Sequence, residues 1–214
     1  MIIEMNKCII CDIINNPHYL EDTILYENDL IIVKAAKGMV VPGHLLVIPK
    51  EHINGFAEMN KTDFSKVVKL CSDIKRKLSL ITNQEVFIFE HGSLPEGRHP
   101  QSIVHAHIHI IPFSLNEYSK NYLIKECKMN NIKNIDDIRK YSKTDYWFYE
   151  DFEGNKYFSS NVENVPRSIN FRIIASQLGM EDDYEWRDEK NNDYNKLYIT
   201  FDIAKKIFTD KYNL

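Results

Sequence analysis

The chain has 214 residues, 43% of them hydrophobic, and a formal net charge of −4 from 27 basic and 31 acidic side chains. That length can bury a core without disulfide staples. An aromatic share of 12% with only seven Gly and seven Pro excludes a disordered or low-complexity chain, and the acidic excess excludes a bulk nucleic-acid or membrane-surface binder, which needs a net basic face.

Met1 to Cys11 shows no signal peptide, and no apolar run approaches the roughly 18 residues of a membrane span. The expected compartment is the cytoplasm. The four cysteines are too sparse for a disulfide scaffold. Cys8 and Cys11 form a C-x-x-C, which in a reducing compartment reads as a metal half-site or a redox pair. Residues 23–26 and 30–33 flank Glu27-Asn28-Asp29 as a hairpin. Val40-Val41-Pro42-Gly43 is a turn feeding a strand from His44 to Ile48, stopped by Pro49. Helical spacing of Phe64, Val67, Cys71, Ile74 and Leu78 predicts a helix from Thr62, as N-cap, to Ile81. A strand follows at 85–89, then a loop with Gly92, Pro95, Gly97 and Pro100, then a strand from Ile103 to Ile111.

The second half reads as two short helices within 116–143, broken at Asn130-Asn131. A hairpin of 146–149 with 156–158 comes next. A helix spans Arg167 to Leu178 before a Gly179 cap, and the acidic run 181–183 reads as a surface loop. A last helix runs from Ile203 to Tyr212 after an Asp202 cap. A boundary near residue 114 divides a first domain, 1–114, from a C-terminal extension, 115–214, packed on it.

The chemistry concentrates in Gln101 to Pro112. On a strand, alternate side chains share a face. His105, His107 and His109 then point one way, and Val104, Ala106, Ile108 and Ile110 point into the core. Two readings fit three imidazoles in register. They can hold a metal, or one can attack phosphorus while its neighbours donate to phosphate oxygens. Histidine suits the second task because its pKa lies near ambient pH. A backbone carbonyl accepting from Nδ1 would leave Nε2 free to attack.

The run His105-Ala106-His107-Ile108-His109-Ile110-Ile111 resembles the His-φ-His-φ-His-φ-φ motif of the histidine triad (HIT) superfamily of nucleotide hydrolases and transferases. Gln101-Ser102 before it, and Gly43 to His52, resemble further family segments, together covering about residues 5–114. The resemblance implies an α+β fold: a five-stranded antiparallel sheet with helices on one face, a long helix among them, plus a mixed C-terminal extension. It implies homodimers formed through the sheet and the long helix, and a small nucleotide substrate. His107 would be the nucleophile, forming a covalent nucleotidyl-histidine. His109, Gln101 and Ser102 would contact the phosphate or leaving group, and no catalytic metal is required. Some members carry a structural zinc; the matching set here is Cys8, Cys11, His52 and His105. The competing expectation is a non-catalytic nucleotide-binding or interaction module.

The chain also departs from the family. Ala36 stands where many members place a ribose-binding Asp, and Glu90-His91-Gly92 replaces an Asn-containing strand end. That stretch resembles a less characterised branch with a C-terminal extension, as does Tyr184-Glu185-Trp186-Arg187. Glu90, His91 and Arg98 are the candidate substrate-binding residues. The run Tyr146 to Tyr149 reads as core of the extension or as a stacking platform.

Overall fold

The computed structural model describes residues 8–92, 103–162, 165–166, 168–180 and 184–209. A short helix α1 (Ile9–Asn15) leads into strands β1 (Ile24–Glu27), β2 (Ile31–Ala35) and β3 (Leu45–Pro49). The long helix α2 (Lys61–Thr82) follows, then β4 (Val86–Gly92) and β5 (Ile108–Pro112). The second half supplies α3 (Glu117–Glu126), β6 (Asn130–Ile132), β7 (Tyr146–Glu150), β8 (Lys156–Ser159), α4 (Ile169–Gln177) and α5 (Tyr194–Phe208). Among the described residues no helix is long and apolar enough to cross a membrane.

All eight strands form one antiparallel sheet in the order β1-β2-β3-β5-β4-β7-β8-β6. The first five make the expected small sheet. The extension adds three more, because β7 pairs along the whole of β4, from Ile88 opposite Glu150 to Gly92 opposite Tyr146. Residues beyond 114 therefore continue the same sheet.

Both faces of that sheet are covered, which corrects the expectation of helices on one face. The apolar stripe of α2 (Phe64, Val67, Cys71, Ile74, Leu78) packs with α5 against Val33, Val47, Ile88 and Ile110. On the other face Phe87, Phe89, Trp147 and Tyr149 pack against α3 and α4. The cause is visible in composition. Strands β4 and β7 are apolar at consecutive positions, Phe87-Ile88-Phe89 and Tyr146 to Tyr149, so each needs cover on two sides.

Element ends differ from the sequence reading for local reasons. Asn60, not Thr62, caps α2 by accepting from the Asp63 N–H, and Asn83 closes the helix in left-handed backbone (φ 52°). Segment 116–143 holds one helix, the short strand β6 and a 3-10 turn at Ile135–Tyr141. Helix α5 starts nine residues early, at Tyr194 against the expected Ile203, because Asp193 caps it through the Asn195 and Lys196 N–H groups. The β-branched and aromatic run Tyr198 to Phe201 hides that helix from propensity. Burial overrides it: Thr200 accepts a 2.8 Å bond from the Gly43 N–H, tying α5 to the turn before β3.

The seam between the two halves is tight at Gly92. A Cβ there would collide with the ring of Tyr146, its partner across β4 and β7. Gly92→Ala is expected to destabilise the fold by about 1–3 kcal/mol, measured as a lower urea midpoint with an unchanged slope.

Candidate functional site

The histidine segment is not one long strand. Strand β5 begins at Ile108, so only His109 lies in it, and residues 103–107 cross the sheet end irregularly. The three imidazoles consequently take three different environments. His109 extends from the face that carries Phe89 and Leu46, which flank it in register. Its Nδ1 meets Nε2 of His44 at 2.9 Å. His107 lies next to it, ring centroids 5.0 Å apart, with its Nδ1 2.7 Å from the His105 carbonyl oxygen. His105 is buried and turns away, its Nε2 2.9 Å from the Pro49 carbonyl oxygen and its Nδ1 3.5 Å from both Cys8 Sγ and Cys11 Sγ.

These contacts settle the tautomers, because a carbonyl only accepts. His107 donates Nδ1–H to His105, so Nε2 carries the lone pair. His105 donates Nε2–H to Pro49, so Nδ1 presents its lone pair to the thiols. In the His44–His109 pair, Nδ1 of His44 is buried without a partner among the described residues. A bare lone pair there is less destabilising than an orphaned N–H. His44 therefore donates Nε2–H to His109, whose own Nε2 is left bearing a proton. Burial holds all of these rings neutral. It lowers His44 to about 3, with the charge of a protonated His107 adding to the effect. It lowers His107 below the usual histidine range, opposed by the bond to His105, and His109 well below it.

The ligand atoms of Cys8, Cys11, His52 and His105 lie within 4.8 Å of one another. Cys11 Sγ is 3.3 Å from His52 Nδ1. Tetrahedral zinc with two sulfur and two nitrogen ligands gives sulfur–nitrogen edges of about 3.6 Å, so the set is shaped to hold a metal. Burial and the neighbouring Cys8 raise the Cys11 thiol to about 11. The three histidines of the motif do not form a metal centre of their own: His105 faces the thiols while His109 is engaged by His44.

A cavity of about 290 Å³ opens over His107 and His109. Of the expected substrate contacts, His91 lines it, stacked on Trp147 at 3.6 Å. Glu90 does not. Alternation along β4 sends it to the α2 side, where its Oε1 accepts from the Phe56 N–H and the Tyr146 hydroxyl, each at 2.8 Å. Burial raises it to about 7 despite those two bonds. Arg98, Gln101, Ser102, Arg167 and the run 181–183 lie outside the described residues.

Sequence reasoning passed over several residues of this site. His44 carried the motif of β3 without a role of its own. Lys34 and Asp22 form a buried pair at 3.2 Å in the cavity wall near Ala36. Burial lowers the Lys34 amine, with Asp22 opposing. Phe171 and Trp186 come from the extension; Trp186 lies in the Tyr184–Arg187 stretch noted for its resemblance to the branch, without a cavity role, and no spacing in the sequence marks Phe171.

The family model for the HIT domain matches residues 19–114. An uncharacterized HIT-like protein of Borreliella burgdorferi is 34% identical over 110 residues, covering 50% of this chain and 76% of that protein. One from Chlamydia muridarum is 32% identical over 90 residues, covering 41% and 68%. A HIT-family protein of Bacillus subtilis, known as a crystal structure, is 28% identical with a TM-score of 0.42, covering 50% of this chain and 73% of that one. This chain belongs to the HIT family.

The neutral histidine pair has a measurable consequence. His44 stays neutral in the folded chain down to about pH 3, whereas the unfolded chain protonates it from about 6.5 downward. The unfolded state then binds more protons, so stability is full above pH 6.5 and is lost as pH falls. The slope is up to about 1.4 kcal/mol per pH unit from this group. Urea titrations between pH 7.5 and 4.5 should show the decline, and His44→Phe should flatten it.

Proposed function

We propose that this HIT protein is a nucleotide hydrolase or nucleotidyl transferase in which His107 is the nucleophile. The 2.7 Å bond from His107 Nδ1 to the His105 carbonyl carries the reading, since it leaves a lone pair on Nε2 at the cavity. In the first step that lone pair forms a bond to the α-phosphorus of a nucleotide. The bond from phosphorus to the leaving group breaks, and its electron pair departs with that group. His109, held as an Nε2–H donor by His44, faces the negative charge developing on the phosphate oxygens. In the second step a water oxygen attacks the same phosphorus. The nitrogen–phosphorus bond breaks, its pair returns to His107, and the water proton is released. Most of the rate enhancement would come from position and fixed donors.

The Cys8, Cys11, His52 and His105 set is read as a structural zinc site. Bound there, zinc would supply cross-linking rather than chemistry, holding α1 to the segment that presents His107.

Two experiments test this. With α-labelled nucleoside polyphosphates or phosphoramidates quenched in base, label should appear on His107, and His107→Ala should lower turnover by at least about 10³-fold. Because burial lowers the His107 pKa, the acid limb of kcat/KM should lie below pH 6.5. Tight nucleotide binding without label or turnover would replace this reading with the binding module. For the metal, elemental analysis should find about one zinc per chain. Cys11→Ser should lose it together with several degrees of melting temperature.

A further inference from the structure

The start of α4 faces the same cavity as the triad: Ser168, Asn170 and Phe171 line it with His107 and His109. Phe171 fixes the placement. Its ring meets His109 nearly perpendicular at 5.8 Å and His44 at 5.1 Å. Among the described residues no side chain caps this helix end. Ser168, in left-handed backbone with φ 54°, makes no side-chain capping bond, and the first turn contains no acidic residue. The Phe171 and Arg172 N–H groups return to the Ser168 carbonyl. Those of Ile169 and Asn170 precede the first intrahelical bonds and have no partner among the described residues. The Asn170 side chain is an independent signal. It is 4% exposed, makes no hydrogen bond among the described residues, and its Nδ2 is buried without an acceptor. A carboxamide buried with nothing to bond is destabilising. Exchange of its nitrogen and oxygen by a half-turn preserves its shape, so the amide can present donors to the cavity.

We propose that the start of α4, through the Asn170 N–H and the Asn170 amide, binds an anionic leaving group: a phosphate beyond the one attacked. The extension thereby selects nucleoside polyphosphates. The inference rests on His107 as nucleophile. When the bond from the α-phosphorus to the bridging oxygen breaks, the electron pair settles on that oxygen. A β-phosphate can leave as an anion, stabilised by uncharged donors at a positive helix end, with no proton delivered to it. An amine leaving group must instead take up a proton and gains nothing from this site.

The test compares Asn170→Ala and Asn170→Asp with the wild-type chain on a dinucleoside tetraphosphate and on a nucleoside phosphoramidate. Inorganic pyrophosphate serves as a binding probe, and thermal melts confirm folding. Aspartate suits a helix first turn, so it preserves the helix while repelling the anion. In both variants kcat/KM on the polyphosphate should fall at least about 10-fold, with pyrophosphate binding weakened by a similar factor, as for loss of a charge-assisted hydrogen bond. The phosphoramidate should change less than about 3-fold. Equal losses on both substrates, or unchanged pyrophosphate binding, would overturn the proposal. If the wild-type chain turns over neither substrate and His107 takes no label, the nucleophile reading fails instead. The pyrophosphate arm then still decides whether this end of α4 binds an anion.

Discussion

His105 bears three constraints at once. Its Nε2–H is held by the Pro49 carbonyl, its Nδ1 faces the two thiols, and its own carbonyl orients His107. The neighbouring Ala106 N–H bonds the Ile53 carbonyl at 2.7 Å, locking the same stretch to the loop after β3. The Nε2 lone pair of His107 therefore has its direction set by an irregular segment that a strand ladder does not hold. A bond of that kind works only if the segment is pinned from several sides. The cysteine–histidine cluster and Pro49 do the pinning.

The second constraint is apolar. Strands β4 and β7 cannot leave either face in water, so the extension both lengthens the sheet and roofs it. The result is a cavity over His107 and His109 with a floor from the HIT domain and part of a wall from α4 and Trp186. Closing it this way desolvates the triad. Burial keeps His44, His107 and His109 neutral, which suits a nucleophile and a neutral donor. It also makes the folded state sensitive to acid. Glu90 serves the same closure from the other side of the sheet. It joins Tyr146 of the extension to Phe56 of the HIT domain through buried hydrogen bonds.

Much of this was legible residue by residue. The alternation and spacing of His105, His107 and His109 marked the site. The resemblance paired Cys8 and Cys11 with His52 and His105, and the structure brings those four together. The hairpin of β7 and β8 and the stripe of α2 were readable from period and turns. Glu90 was misread because a sequence shows that neighbours on a strand alternate but not which neighbour meets the cavity. His91 takes that side. Asp193 goes unread as a cap because the residues after it favour strand, and only packing on α2, β1 and β2 makes them a helix.

The sequence by itself determined the family and the nucleophile candidate, because those depend on residue types at short, regular separations along one chain; the candidate metal-ligand set, which joins Cys8 and Cys11 to His52 and His105, followed from the family resemblance. Tertiary structure decided the tautomers, the burial that keeps the imidazoles neutral, and the joining of the extension to β4. It also decided the arrival of Asn170 and Phe171 beside His109. Each of these depends on contacts between residues far apart in the chain, such as His44 with His109 and Gly92 with Tyr146. Local propensity carries no information about such pairs; only the burial of both faces of one sheet brings them together.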